Sequence, residues 1–150
     1  MQERFETFTV LINRISRNIR KIKNQEMAAY DLRSPHISCL YYLYTSEGLT
    51  ATELCEHCEE DKATISRALD YLEKNGYLVC ACQGVKRYRS PFTLTEEGIE
   101  VGKKIAEKIN RVLDDMSAGL GVAERESFYR SLAVICDRLE QVAKQPMDEL

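Results

Sequence analysis

No stretch of this chain reaches about eighteen consecutive apolar residues, which excludes an ordinary membrane-spanning helix. The opening MQERFETFTV lacks the basic flank and apolar centre of an export signal, so a cytoplasmic protein is expected. There is no glycine-rich phosphate loop, no HExxH pair and no Ser-His-Asp order. Nucleotide-cradling, zinc-protease and triad chemistry are therefore without a foothold. Residues 1–33 contain neither glycine nor proline, so nothing in them interrupts a long helix. A strong basic excess is also missing: the net charge is −3, which by itself does not point to nucleic acid.

The distribution of charge says more than its sum. Residues 1–33 and 61–93 each carry a net +3, whereas 34–60 carries −5 and 94–150 carries −4. Two local basic blocks in an acidic chain steer a polyanion better than a uniform bias does. At 150 residues, 44% of them apolar, the chain is long enough for one domain with a real core.

The most informative stretch is Leu49 to Gly98. Thr50 followed by Glu53 forms a capping box that opens one helix. Asp61 is a good N-cap for a second, because its carboxylate accepts from the free amides of the first turn and complements the positive helix end. Leu54 and Cys58 on the first helix, and Ile65, Leu69 and Leu72 on the second, fall on inward faces. Only Glu59 to Asp61 separate the two, which forces a sharp crossing: a helix-turn-helix. Gly76 suits the helix exit, and Tyr77–Cys82 is β-prone. Gln83 to Tyr88 reads as a tight basic connection, with Arg89–Thr93 returning as an edge strand marked by Pro91. Thr95 then caps another helix. The expected fold is mainly α with a small β-hairpin wing: a winged helix-turn-helix flanked by long helices.

The motifs LTATEL, KATISRALDYLEKNGYL and KRYRSPFTLTEEG resemble those of the MarR-type regulators (multiple-antibiotic-resistance regulators), and the resemblance covers the whole chain. It implies a sequence-specific, double-stranded DNA-binding transcriptional regulator without enzymatic activity, commonly a repressor. It implies a homodimer whose helices hold a small aromatic effector, to which Tyr30, Tyr41, Tyr42 and Tyr44 are candidate contributors. It also aligns Arg87 with the family's wing arginine. This chain departs at Lys86, where many members carry an aspartate, and in its short wing.

The flanks support the same organisation from the residues alone. Phe5, Phe8, Ile12, Ile15, Ile19 and Ile22 form a heptad-like stripe on one helix over residues 1–33. Ser34 and Pro35 begin another, with Ser34 as cap and Ile37, Leu40 and Leu43 inward. After the wing, Ile99, Gly102, Ile105, Ile109 and Met116 mark a helix that Gly119 and Gly121 break; Phe128, Leu132, Ile135, Leu139 and Val142 mark the last. One chain of this size can cover some of these stripes internally but not easily all, so residues 1–33 and 95–150 are expected to be mainly dimerisation helices around a reader at 34–94, with an intramolecular bundle as the alternative.

On the second reader helix, a step of about 100° turns Ala63, Ser66, Arg67, Asp70 and Lys74 outward with Thr64 at the flank. Lys62, Ala63, Thr64, Ser66 and Arg67 then form the major-groove face, and Lys86, Arg87 and Arg89 of the wing reach the neighbouring minor groove or its phosphates. Asp70 is expected to orient Arg67 or a wing arginine. A two-fold dimer of such readers prefers a pseudo-palindromic operator.

Six cysteines complicate the picture. Cys55, His57 and Cys58 with Cys80 and Cys82 offer soft ligands for zinc, or a thiol redox sensor, while each also reads as a small core residue. Cys39 and Cys136 lie in apolar helical stretches and read as core. His36 reads as a surface histidine, with a role in an effector pocket as the alternative. A CxxC thiol enzyme is disfavoured because no strand precedes the pair. A winged-helix module that binds protein is the remaining alternative. No cofactor is required by the leading reading.

Overall fold

The computed structural model describes residues 2–82 and 86–145. The elements are α1 (Gln2–Phe5), a π-helical stretch (Glu6–Val10), α2 (Leu11–Glu26), α3 (Ser34–Thr45), α4 (Ala51–Cys58), α5 (Lys62–Lys74), β1 (Leu78–Cys80), β2 (Phe92–Leu94), α6 (Glu96–Ser117) and α7 (Val122–Ala143). Residues 1–107 and 108–150 are two compact units, α6 running from one into the other.

The reader core sits in the first unit. Cys39 and Leu40 of α3, Leu54 of α4, Ile65 and Leu72 of α5, Leu78 of β1 and Phe92 of β2 are all essentially inaccessible. Burying each such side chain stabilises by about 1.5–3 kcal/mol, so this cluster dominates the fold of the reader. Both reader caps form as their spacing dictates: the Glu53 amide donates to Thr50 Oγ1 at 3.3 Å, and the Thr50 amide to Glu53 Oε2 at 2.7 Å. Gly76 takes φ +81 at the α5 exit.

The N-terminal helix differs from the uninterrupted one expected over 1–33. It passes through the π turn and ends at Glu26. Met27 and Leu32 beyond it are buried at 2% and 1% exposure, so burial of these two ends the helix where composition alone does not. Phe8, Ile12, Ile15, Ile19 and Ile22 do form an exposed stripe; the Phe5 side chain lies outside the described residues.

α3 is capped differently from expectation. Arg33, not Ser34, takes the extended N-cap conformation, and its amide donates to His36 Nδ1 at 3.0 Å. The Ser34 amide donates instead to Asn24 Oδ1 of α2 at 2.8 Å. His36 is thus a structural residue, stacked on Tyr71 of α5 at 4.4 Å between ring centroids.

The wing is shorter than expected. β1 and β2 are antiparallel, pairing Leu78 with Leu94 and Cys80 with Phe92. Arg87–Arg89 coil into a 3₁₀ turn, so the return strand starts at Phe92 and Arg89–Pro91 lie before it. Leu49 adds an isolated bridge to Phe92, the two exchanging amide–carbonyl bonds at 2.8 and 3.2 Å. Of the connection expected over Gln83–Tyr88, residues 83–85 lie outside the described residues.

Thr95 caps α6, accepting from the Gly98 amide at 3.1 Å and donating to the Gly76 carbonyl at 2.6 Å. The inward face of α6 in the first unit is Val101 and Ile105, not Ile99, which is 50% exposed. Gly98 explains the rotation: a Cβ there would stand 1.9 Å from the Tyr77 carbonyl oxygen, so helix and strand entry meet backbone to backbone. In the second unit α7 exposes Phe128, Ile135, Leu139 and Val142. Cys136 is exposed too, correcting its reading as core, because nothing among the described residues of that unit covers it.

Candidate nucleic-acid interface

α5 is presented by the way its other face is buried. Ile65, Ala68, Leu69 and Leu72 are at most 2% exposed, which fixes the helix about its axis. Lys62, Ala63, Ser66, Arg67, Asp70 and Lys74 are consequently exposed, with Thr64 half-buried at the flank, as the helical step requires. The N-terminus is anchored by Asp61, whose Oδ1 accepts from the Thr64 amide at 2.8 Å and whose Oδ2 accepts from Thr64 Oγ1 at 2.9 Å. These bonds hold the Asp61 carboxyl below the ordinary carboxylate range. Arg67 Nη2 reaches back to Thr64 Oγ1 at 3.4 Å, lying along the helix toward its leading end. Small side chains at that end and one long cation behind them form a surface that fits a groove about 12 Å wide.

Arg87 is committed elsewhere. Its Nη1 donates to both oxygens of Glu73 at 2.8 and 3.1 Å, and its Nη2 to Asp70 Oδ1 at 3.0 Å. Its guanidinium also lies 5.3 Å from the centre of the Phe92 ring. Partial burial opposes the charge, but the Glu73 bond and the charges of Glu73 and Asp70 outweigh it and hold Arg87 more firmly protonated. Arg87 therefore pins the wing to α5, and Asp70 orients a wing arginine, as one of the two sequence expectations had it. Lys86 and Arg89 flank this clamp and are exposed. Glu73 escapes a sequence reading that names only Asp70 and Lys74 at that end of the helix; its place three residues after Asp70, on the same side, is the signal that marks it.

The soft-ligand candidates are not gathered. Among the described residues, no three or more His, Cys, Asp or Glu side chains converge on a point that could hold a metal ion. His57 stacks on Tyr42 at 5.0 Å between centroids. Cys80 lies on β1 with its thiol pushed up to about 11, by burial first and then by its contact with Cys82. Cys82 is exposed beyond the strand. Cys55 is half-buried on α4.

A cleft of about 260 Å³ opens on the same unit, lined by Arg20, Asn24, Arg33, Ser34, Glu60 and Thr64 among others. It joins the end of α2 and the start of α3 to the turn that leads into α5.

The sequence pattern of the MarR family matches residues 30–87, the span from the end of the N-terminal helix to the wing. An uncharacterised HTH-type transcriptional regulator of Bacillus subtilis (strain 168), YwoH, is 27% identical over 117 residues, covering 78% of this chain and 85% of the relative. Among solved structures, the MarR family regulator NMB1585 of Neisseria meningitidis superposes with a TM-score of 0.79 at 20% identity, covering 93% of this chain and 96% of that one. The DNA complex of Staphylococcus aureus MepR gives 0.78 at 20% identity, over 88% and 97%. A MarR family transcriptional regulator from Silicibacter pomeroyi gives 0.73 at 26% identity, over 83% and 84%.

Proposed function

We propose that the chain is a winged-helix transcriptional regulator of the MarR family, whose pattern its residues 30–87 match, and that it is a homodimeric, ligand-responsive repressor of a pseudo-palindromic operator. The observation that carries the DNA-reading part is the α5 face: Ala63, Ser66 and Arg67 project from a helix whose opposite side is locked in the core. α5 enters the major groove, with Lys62 and Thr64 at phosphates and Arg67 reaching a base edge. Lys86 and Arg89 approach the flanking backbone, and Arg87 acts by holding the wing in register with α5.

The exposed stripes on α2 and α7 support the dimer. Ile12, Ile15, Ile19 and Ile22 on one helix, and Phe128, Ile135, Leu139 and Val142 on the other, are apolar surface that a second copy would bury. Two readers on one two-fold axis address half-sites about one helical turn apart. The cleft between α2, α3 and the α4–α5 turn, with Arg20 and Arg33 on its wall, suits a small aromatic anion. An occupant there would press on the turn that sets α5, so binding would shift the spacing of the readers. Nothing in this mechanism calls for a metal.

Fluorescence anisotropy with duplexes from the region upstream of the protein's own coding sequence tests the reading. Selective, salt-sensitive binding that Arg67→Ala abolishes supports it. Equal weak affinity for every duplex, unmoved by that substitution, would overturn it.

A further inference from the structure

The reader and wing account for one of the two basic blocks of the chain. The other, residues 1–33 with a net +3, lies on the N-terminal helix and the segment that follows it. The fold brings two of its arginines, Arg20 of α2 and Arg33 at the N-cap of α3, to the wall of the 260 Å³ cleft. Both are exposed, and neither forms an ion pair among the described residues. That sets them apart from Arg87, whose guanidinium is answered by Asp70 and Glu73.

The cleft is positive on balance. Glu60 lines it as well, but Lys23 of α2 offsets that carboxylate: its half-buried ammonium donates to Ser38 Oγ at 3.0 Å and feels the Glu60 charge. The free donors are side chains rather than a bare helix end. The Ser34 amide is already bonded to Asn24 Oδ1 at 2.8 Å, and Pro35 has no N–H. Two guanidinium forks remain, and such forks match the oxygens of a phosphate group better than a lysine does.

Position selects the source of that phosphate. Thr64 lines the cleft and also flanks the leading end of α5, where Arg67 Nη2 bonds its Oγ1 at 3.4 Å. The cleft therefore begins where the groove-reading face ends. A helix that enters the major groove by its N-terminal residues is bordered there by a sugar–phosphate strand. With Ala63 and Ser66 in the groove, that strand passes over the cleft.

We propose that Arg20 and Arg33 together hold one phosphate of the operator backbone, a DNA contact made from outside both the recognition helix and the wing. It presupposes the DNA-reading role of α5 described above. The contact fixes register and orientation without reading a base. It also fastens α2, the helix of the exposed isoleucine stripe, directly to the duplex. A backbone phosphate and a small aromatic anion are both oxyanions for the same two forks, so each excludes the other from the cleft.

The test is anisotropy of the full-length protein on the upstream duplex, from about 50 to about 200 mM salt. Arg20→Gln and Arg33→Gln should each weaken binding to specific and arbitrary duplexes alike, because a phosphate carries no sequence. The double Gln variant should lower the salt slope by about one unit, so that it loses about three- to fourfold less affinity than the wild type across that range. Arg20→Lys combined with Arg33→Lys keeps the charge and should keep the slope. A scan of single neutral methylphosphonates along the duplex then locates the contact. One linkage per half-site should cost the wild type affinity and leave the double Gln variant unmoved.

A slope lowered by about two units would put the arginines on separate phosphates and overturn the shared site. So would a scan in which every linkage affects wild type and double variant equally. Unchanged affinity and slope in the Gln variants, with Arg67→Ala still abolishing binding, would overturn the proposal alone and leave the cleft to small anions. A wild-type protein that selects no duplex would overturn the regulator reading, and the phosphate contact with it.

Discussion

Arg87 and Glu73 are joined at 2.8 and 3.1 Å through one guanidinium nitrogen that spans both carboxylate oxygens, and this contact ties the wing to the recognition helix. Exposed pairs of this kind contribute only about 0–1 kcal/mol to stability, so its importance is positional. Arg87→Ala should therefore weaken operator binding while leaving the slope of affinity against salt unchanged. Lys86→Ala, which removes a proposed phosphate contact, should reduce that slope by about one unit. Matching slopes for Arg87→Ala and Lys86→Ala, both lowered, would mean that Arg87 leaves its carboxylates to contact the duplex.

Arg67→Ala should cost about 1–3 kcal/mol of operator affinity and relax discrimination at one position of each half-site. Competition between the operator and single-base variants measures this directly. A uniform loss across all variants would reassign Arg67 to the phosphate backbone.

Much of the reader is legible in the sequence because its signals are local. Thr50 with Glu53 and Asp61 with Thr64 bond across three residues, and the chain between them cannot avoid a sharp turn. What escapes a sequence reading depends on partners far along the chain. Val101 faces the core instead of Ile99 because Gly98 must approach Tyr77, a contact between elements that no periodicity records. The α2 helix stops at Glu26 because Met27 and Leu32 are drawn into the core, although their composition permits continuation. The exposed face of α5 is derivable from a helical step; the Arg87 clamp requires knowing which way a short wing folds back.

Glycine positions give a contrasting pair for stability. Gly98→Ala places a methyl 1.9 Å from the Tyr77 oxygen and should destabilise by about 3 kcal/mol or more in urea unfolding. Gly119→Ala meets nothing within 4 Å and should stabilise by about 0.4–1 kcal/mol through the unfolded chain. Similar midpoints for the two variants would contradict the backbone contact at Gly98.

His36 makes the reader sensitive to mild acid. Its Nδ1 must be unprotonated to accept from the Arg33 amide, and burial, then the Arg33 charge, draws its pKa below the ordinary value. The unfolded chain then binds the proton more tightly. The contribution is complete above the unfolded value near 6.5 and is lost as pH falls through the lower folded value. Between pH 7.5 and 5.5 the loss should be under about 1 kcal/mol, given that the ring is half exposed. His36→Asn, whose carbonyl oxygen replaces Nδ1, should keep the cap and flatten that part of the profile. An unchanged profile in the variant would assign the dependence to another group.

The apolar stripes predict an association that charge should break. Ile19→Glu combined with Leu139→Glu should convert a dimer into a monomer in sedimentation velocity and remove cooperative operator binding. A chain that sediments as a monomer without these substitutions would dismiss the dimer outright.

The captured arginine bears on how such a protein finds its target among a chromosome's worth of wrong sites. Of the six basic residues between positions 61 and 93, Arg87 is already answered by two carboxylates of its own chain. On the proposed reading, fewer cations would then remain to cling to arbitrary duplex, and non-specific residence would be shorter than with Arg87 unpaired. Such a reader leaves wrong sequences quickly and spends less of each search cycle detained on them, at some cost in lifetime on the right one.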